Sequence, residues 1–166
     1  MGGFAGGDEA GYWDDDTIFT LSDKKDKYTS KPSIEKSDLG YSIKAYAKSN
    51  KELYDTISFV PCKCDAFIIE ECEAVTLESN SIYKAYKALI EYTADTDIEE
   101  FFYEHKVVVT KDIPYSLGHG GASSDAAAFM CLTKEVCNLV ISTDELVKIG
   151  ATIGDNVAFF ILNVVD

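Results

Sequence analysis

Alternating apolar and polar residues predict most of the strands in this chain. Residues 41–47, 53–60 and 66–70 are short segments rich in β-branched and aromatic side chains, which is typical of strands. The run Lys-Val-Val-Val-Thr at 106–110 predicts one more strand farther along the chain. The regular part of the sequence therefore begins near Tyr41.

Apolar residues at three- and four-residue spacing predict helices among and after these strands. Asn80 can cap a helix that continues to about Thr93, with an apolar stripe made of Ile82, Ala85, Tyr86, Leu89 and Ile90. A short helix is expected over residues 97–104. Residues 142–145, Ser-Thr-Asp-Glu, have the form of a capping box that starts a helix reaching about Ile149.

Two further apolar segments complete the predicted core. The helix expected over residues 123–139 is apolar around much of its circumference and should be buried, and the run 154–162 returns to the same core. Strands precede and alternate with helices, so we predict an α+β fold. Residues 41–166 form this domain. Residues 1–40 form a polar, glycine-rich extension, partly disordered or added to the protein, in which 17–21 is a candidate strand.

The chain is strongly acidic, and its basic residues other than two histidines are all lysines. Twenty-nine acidic against fifteen basic residues give a net charge of −14, and arginine is absent. Without arginine the chain cannot make the bidentate contacts often used on phosphates and guanine edges, so we expect no direct nucleic-acid binding. The acidity favours solubility, or an acidic surface that competes with nucleic acid for a basic protein partner.

Cysteine usage and hydropathy predict a cytoplasmic protein with reduced thiols. Five cysteines, an odd number, accompany no secretory signal. Cys62-Lys-Cys64 lacks a second pair of ligands with zinc spacing, so no metal site is expected. Cys131 and Cys137 are expected in the core. No apolar run approaches about 18 residues, so no membrane contact is expected.

A glycine- and serine-rich turn joins the strand at 106–110 to the helix at 123–139. Gly118, Gly120 and Gly121 free the backbone for positive φ and for the close approach of a ligand. The unpaired amides at a helix start suit a phosphate. The turn therefore predicts a phosphate cradle, and the alternative is a tight turn before a capped helix.

The sequence around this turn resembles the phosphate loop of the small-molecule kinases that act on galactose, homoserine, mevalonate and phosphomevalonate, the GHMP superfamily. The match covers residues 113–128, and it looks most like the branch that acts on 4-diphosphocytidyl-2-C-methyl-erythritol. Residues 45–50, 80–89 and 154–160 resemble other motifs of that branch in the same order. The resemblance therefore extends over about residues 43–162.

The resemblance implies a mixed β-sheet with helices packed on one face, and transfer of the ATP γ-phosphoryl group to a substrate hydroxyl. ATP and Mg²⁺ are the implied cofactors, with no cofactor as the alternative, and a nucleotide or small molecule is the implied partner. Lys48 is the implied catalytic lysine, which neutralises developing charge. The implied phosphate-binding residues are Gly118, His119, Gly120, Gly121, Ser123 and Ser124.

The chain departs from the family pattern at several positions. Asn156 stands where the family has its catalytic aspartate, and an amide cannot act as a general base. Asp155 is the neighbouring candidate, but its side chain should point in a different direction. Ala122 replaces a glycine, so we expect backbone strain there, and His119 replaces a leucine. The chain ends at Asp166, so we expect the family's C-terminal half to be missing.

Three functions are compatible with these features. The first is a degenerate or engineered kinase-like domain that binds nucleotide phosphate at residues 118–124 with little or no phosphoryl transfer. The second is an acidic, non-enzymatic inhibitor that blocks a basic, nucleic-acid-binding partner. The third is an active ATP-dependent diphosphocytidyl-methylerythritol kinase. The absence of arginine and glutamine and the unrelated first 40 residues favour an engineered origin.

Overall fold

The structure, a computed structural model, describes residues 34–47, 52–70, 77–113 and 121–165. All of these residues belong to one compact unit of the chain. The strand predicted at 17–21 lies outside the described residues.

A five-stranded sheet forms the frame of the described part. Its strands are β1 (Glu35–Ser37), β2 (Gly40–Tyr46), β3 (Tyr54–Pro61), β4 (Ile69–Glu70) and β5 (His105–Thr110). Their spatial order is β1-β2-β3-β5-β4. The pairs β1–β2, β2–β3 and β3–β5 are antiparallel and β4–β5 is parallel. The sheet is therefore mixed, as the resemblance implies.

The predictions of β2, β3 and β5 are confirmed, whereas the two edge strands differ from expectation. Of the strand predicted at 66–70, only Ile69–Glu70 pairs with a neighbour. β1 was not predicted because its residues, Glu35–Ser37, are all exposed and polar. Gly40 starts β2 with a φ of 118°, and a Cβ there would collide with the carbonyl oxygen of Phe59. Only glycine fits this position without strain.

Five α-helices and a short 3-10 helix, Leu77–Ser79, complete the described fold. The α-helices are α1 (Ser81–Thr93), α2 (Thr96–Tyr103), α3 (Gly121–Val136), α4 (Thr143–Ile153) and α5 (Asp155–Val165). Asn80 caps α1 as predicted, since its Oδ1 accepts a 2.8 Å hydrogen bond from the Ile82 amide. The capping box of Ser142 and Glu145 at the start of α4 is also confirmed.

The helix predicted at 123–139 is confirmed, with both ends shifted. α3 begins at Gly121 and ends at Val136. The expectation of strain at Ala122 is wrong, because Ala122 lies inside the first turn of α3. The described residues other than glycine that have positive φ are Ala94 and Asn138. A helical backbone accepts alanine readily.

The core lies between one face of the sheet and the helices. Alternate residues of the central strands are buried, such as Ile43 in β2 and Ile57 in β3. Residues 124–132 of α3 are buried without interruption. Within them the ring of Phe129 lies edge-on to that of Phe59, with centroids 5.6 Å apart. The predicted burial of this helix is confirmed, and it brings the start of α3 against the sheet.

Four of the five cysteines lie in the part of the chain that the structure describes. Cys62, Cys64, Cys131 and Cys137 are free thiols, and Cys131 is buried as predicted, whereas Cys137 is only partly buried. Among the described residues, no helix combines the length and apolar character needed to cross a bilayer. They also contain no group of three or more His, Cys, Asp or Glu side chains that could hold a metal ion.

Candidate phosphate site

The start of α3 lies at one end of the sheet. β2 ends at Tyr46, which pairs with Tyr54 at the beginning of β3. On the other side of β3, Thr56 pairs with Thr110, the last residue of β5. Three strand termini therefore lie side by side at this end.

The first turn of α3 is attached to its surroundings by two serine hydroxyl groups. Ser124 Oγ donates a 2.7 Å hydrogen bond to the carbonyl oxygen of Tyr46. Ser81 Oγ, at the start of α1, donates a 2.8 Å hydrogen bond to the carbonyl oxygen of Ala122. The turn is thereby fixed to the end of β2 and to the beginning of α1.

A buried lysine next to the same turn joins two other elements. Lys111, which follows β5, places its Nζ 2.8 Å from Asp55 Oδ2 in β3 and 2.9 Å from Asp125 Oδ2 in α3. The side chain of Lys111 is only 5% exposed, and those of Asp55 and Asp125 are 0% and 4% exposed. We name these three residues the charge cluster.

The charge cluster also fixes the backbone that leaves β5. Asp55 Oδ1 accepts hydrogen bonds from the amides of Asp112 at 2.7 Å and of Ile113 at 2.8 Å. A carboxylate that accepts two amide bonds and faces a lysine is strongly stabilised in its charged form. Asp55 is therefore the ionised acceptor of the cluster.

The two carboxyl groups have opposite pKa shifts. Burial by itself would raise the pKa of Asp55, but hydrogen bonds from Asp125, Lys111 and the two amides outweigh burial and lower the pKa. For Asp125, burial and the hydrogen bond with Asp55 raise the pKa well above its ordinary value, despite Lys111. Burial works to lower the pKa of Lys111, but the charges of Asp125 and Asp55 prevail and raise it.

These shifts are consistent with a proton held between the two carboxyl groups. Asp125 Oδ1 is buried and accepts no hydrogen bond from any other group in the described residues. A proton on this oxygen can be donated to Asp55, which leaves Asp125 neutral and Asp55 charged. Together with Lys111 the cluster then has no net charge, which removes most of the cost of burying it.

The geometry is favourable for an anion at the first turn of α3. The first four amides of a helix have no intrahelical acceptor, and they carry the positive end of the helix dipole. No acidic residue occupies this turn. Ser123 is half-buried there, and its hydroxyl makes no hydrogen bond with another described residue. Ser124 is buried and its hydroxyl hydrogen is already given to Tyr46.

The predicted site residues are only partly brought together. Gly121, Ser123 and Ser124 lie in the first turn of α3. Lys48 and residues 118–120, which include Gly118, His119 and Gly120, lie outside the described residues. Their predicted roles stay predictions.

Asp155 and Asn156 occupy the first turn of α5. Both residues are exposed. Neither side chain makes a hydrogen bond or ion pair with another residue in the described part of the chain. α5 packs against α3, so this turn belongs to the same helical layer as the candidate phosphate site.

Comparison with known families matches residues 80–163 to the GHMP kinases N terminal domain. The match covers more than half of the chain. This chain belongs to the GHMP kinase family. The matched region of the GHMP domain runs from the cap of α1 into α5, and it contains all of α3 with its first turn.

Two relatives of this GHMP domain carry the same name. The 4-diphosphocytidyl-2-C-methyl-D-erythritol kinase of Sulfurovum sp. (strain NBC37-1) is 50% identical over 112 residues, which are 68% of this chain and 43% of that protein. The protein of the same name from Sulfurimonas denitrificans is 42% identical over 113 residues, 66% of this chain and 42% of that protein. The chain thus spans less than half the length of these relatives.

The chain also shows similarity to a solved structure. The crystal structure of 4-(cytidine 5'-diphospho)-2C-methyl-D-erythritol kinase is 21% identical, with a TM-score of 0.48. The similarity covers 74% of this chain and 38% of that chain.

The charge cluster of the GHMP domain was missed by the sequence reasoning. A signal for Asp55 was present, because it shares the period-2 face of β3 with buried Ile57 and Phe59. A charged residue on a buried face requires a partner. The sequence contains fifteen candidate basic partners, and only the packing of β5 against β3 selects Lys111.

Proposed function

We propose that this GHMP domain binds the phosphates of a nucleotide at the first turn of α3, and that it transfers a phosphoryl group slowly or not at all. The observation that carries the proposal is the attachment of this turn by Ser124 to Tyr46 and by Ser81 to Ala122. These bonds hold the turn while leaving its amides available. Preorganised amides bind an anion without the entropy loss of ordering them.

ATP is the nucleotide we propose, because the relatives are named as kinases. The amides of the turn and the hydroxyl group of Ser123 fit phosphate oxygens. The carboxyl groups of Asp55 and Asp125 are both bonded to Lys111. Mg²⁺ would therefore arrive with the nucleotide, held mainly by its phosphates and by water.

Weak transfer follows from the groups at the start of α5. The amide of Asn156 has no basic oxygen that can take a proton from a substrate hydroxyl at neutral pH. Asp155 is one position earlier, which is about 100° around the helix. Its carboxylate therefore occupies a different place from the aspartate of the family motif.

The proposal is tested by titrating the folded chain with Mg·ATP in a calorimeter, and by assaying phosphoryl transfer to 4-diphosphocytidyl-2-C-methyl-D-erythritol. We expect measurable binding and turnover at background for the wild type. Asn156→Asp serves as the paired variant, with unchanged binding. Transfer recovered by Asn156→Asp would mean that the geometry of the site survives. Wild-type turnover above background would favour an active kinase, and the absence of heat in a folded sample would contradict binding.

An acidic inhibitor of a basic partner is the second candidate. The net charge of −14 favours it, as do the exposed acidic residues on and beside α2, Asp97, Glu100 and Glu104. Salt separates the two functions. An attractive complex with a basic protein weakens as salt is added, whereas moderate salt screens the repulsion between this acidic domain and ATP. If the affinity for ATP increases between low and moderate salt, the result would support nucleotide binding as the function.

A further inference from the structure

The charge cluster adjoins the proposed phosphate site through Asp125, which follows the first turn of α3, and it connects three elements. Asp55 comes from β3, Lys111 from the end of β5, and Asp125 from α3. We propose that this cluster positions the phosphate site, with Lys111 as the positioning residue that holds the chain leaving β5 and the first turns of α3 against each other. The inference deepens the proposed function and rests on it for its effect on nucleotide.

The β5 side of the site is held through Asp55. Its Oδ1 accepts the amides of Asp112 and Ile113, at 2.7 and 2.8 Å. Its other oxygen lies 2.8 Å from Lys111 Nζ. The backbone up to Ile113 therefore has a defined position relative to the lysine, even though it has left the β-ladder.

The α3 side is held through Asp125. This residue directly follows the turn whose amides are proposed to bind phosphate, and its Oδ2 is 2.9 Å from Lys111 Nζ. Rotation or translation of α3 along its axis would break this contact. Lys111 thereby fixes the start of α3 relative to Ile113.

Charges are an expensive way to join three buried elements. A well-packed apolar group of the same volume is often as stable as a buried ion pair or more so. The charged groups add geometric specificity, because each of their hydrogen bonds requires a particular distance and angle. The cluster also contributes no net negative charge beneath the anion site when one carboxyl holds a proton, so it orders the turn without repelling phosphate.

Amide hydrogen exchange tests the positioning role without any nucleotide. In Lys111→Met we expect exchange to accelerate by about tenfold or more at Asp112 and Ile113, and at 125–128, whose amides bond to the carbonyl groups of the first turn. The amides of α4 should change less. Leu146→Ala, a core truncation in α4, is the stability control and should loosen α4 rather than the two flanks. Because the loss of global stability accelerates exchange everywhere, acceleration at these two flanks that is no larger than in α4 would overturn the proposal.

Two variants of Asp125 keep the test decisive if Lys111→Met does not fold. Asp125→Ala leaves the neutral pair of Asp55 and Lys111, so it should loosen residues 125–128 while Asp112 and Ile113 stay protected. Asp125→Asn can still accept from Lys111 and donate to Asp55, and should restore protection on the helix side. Equal exchange in the two variants would contradict a directional role.

Nucleotide affinity supplies the second arm. Lys111→Met should weaken the dissociation constant for Mg·ATP by about tenfold or more at a temperature where the variant is folded. Lys106→Met removes a lysine from the same strand, where it pairs with Glu70 at the surface, and should leave the affinity unchanged. An equal loss of affinity for Mg·ATP in both variants would mean that Lys111 acts only through its charge and not by positioning the site. If the wild type fails to bind ATP, the proposed function falls, and hydrogen exchange still decides the positioning role.

Discussion

The amide of Ile113 donates a 2.8 Å hydrogen bond to Asp55 Oδ1 across a sequence separation of 58 residues. Both groups are buried, and Asp55 accepts the neighbouring amide of Asp112 as well. A buried amide needs an acceptor, and the sheet cannot supply one here because β5 has already ended at Thr110. The carboxylate of Asp55, on the neighbouring strand β3, therefore supplies the acceptor that the sheet backbone no longer provides.

Removal of the lysine charge should strongly destabilise the fold. Lys111→Met leaves Asp55 and Asp125 buried without a cation, and we expect the free energy of unfolding to fall by about 3–5 kcal/mol. Lys106→Met, which removes a partly exposed lysine paired with Glu70, should have little measurable effect. Urea unfolding followed by circular dichroism measures both. Similar midpoints for the two variants would refute the burial argument.

The pH dependence of stability should report the raised pKa of Asp125. The folded state holds this proton where the unfolded state, with its ordinary pKa of 3.8, releases it. The stabilising contribution is therefore complete below the unfolded pKa and is lost as pH rises towards the folded pKa. Asp125→Asn is neutral at every pH, so it should gain stability relative to the wild type as pH rises above about 4.

The measurement is urea unfolding at a series of pH values. The slope of the difference between the two proteins should approach one proton, about 1.4 kcal/mol per pH unit, within the window between the two pKa values. Asp55 acts in the opposite direction, because its lowered pKa stabilises the fold above 3.8 and this is lost on acidification. Parallel curves for wild type and Asp125→Asn would exclude a retained proton.

The two serines of the first turn of α3 should separate binding from stability. Ser124→Ala leaves the carbonyl group of Tyr46 without its hydroxyl donor, so the free energy of unfolding should fall by about 1–3 kcal/mol. Ser123→Ala removes a hydroxyl group that bonds no other described residue, and should leave stability within about 0.5 kcal/mol. Under the proposed function, Ser123→Ala weakens ATP binding in calorimetry. If Ser123→Ala instead lowered the stability while Ser124→Ala weakened ATP binding without lowering it, the result would argue against the site geometry.

Gly40 should tolerate no side chain. Its φ of 118° and the closeness of the Phe59 carbonyl oxygen make Gly40→Ala strained in two ways, and we expect a loss of at least about 1–3 kcal/mol. Gly154→Ala is the matched control, since its φ of 176° suits any residue and its nearest neighbour is Val157 Cγ2 at 3.9 Å. Thermal unfolding compares the two variants. An equal shift in melting temperature would disprove the role of Gly40.

Much of the fold could be predicted because the signals are local. The strands β2, β3 and β5, the apolar stripe of α1 and the capping box of Ser142 and Glu145 depend on residues close in sequence. Short and exposed elements could not be predicted in this way. β1 has no apolar residue to distinguish it, and β4 pairs over only two residues, Ile69–Glu70.

The sequence by itself determined the class of the fold, the burial of α3 and the family to which the phosphate turn belongs, because each depends on periodicity or on a contiguous motif. The tertiary structure decided the interior of the site. It placed Ala122 inside a helix, directed the hydroxyl group of Ser124 to Tyr46, and joined Asp55, Lys111 and Asp125. Those pairings connect residues far apart in the chain. They exist only because β5 ends, and β3 and α3 begin, at the same end of the sheet, where the cost of burying a charge selects a partner within reach.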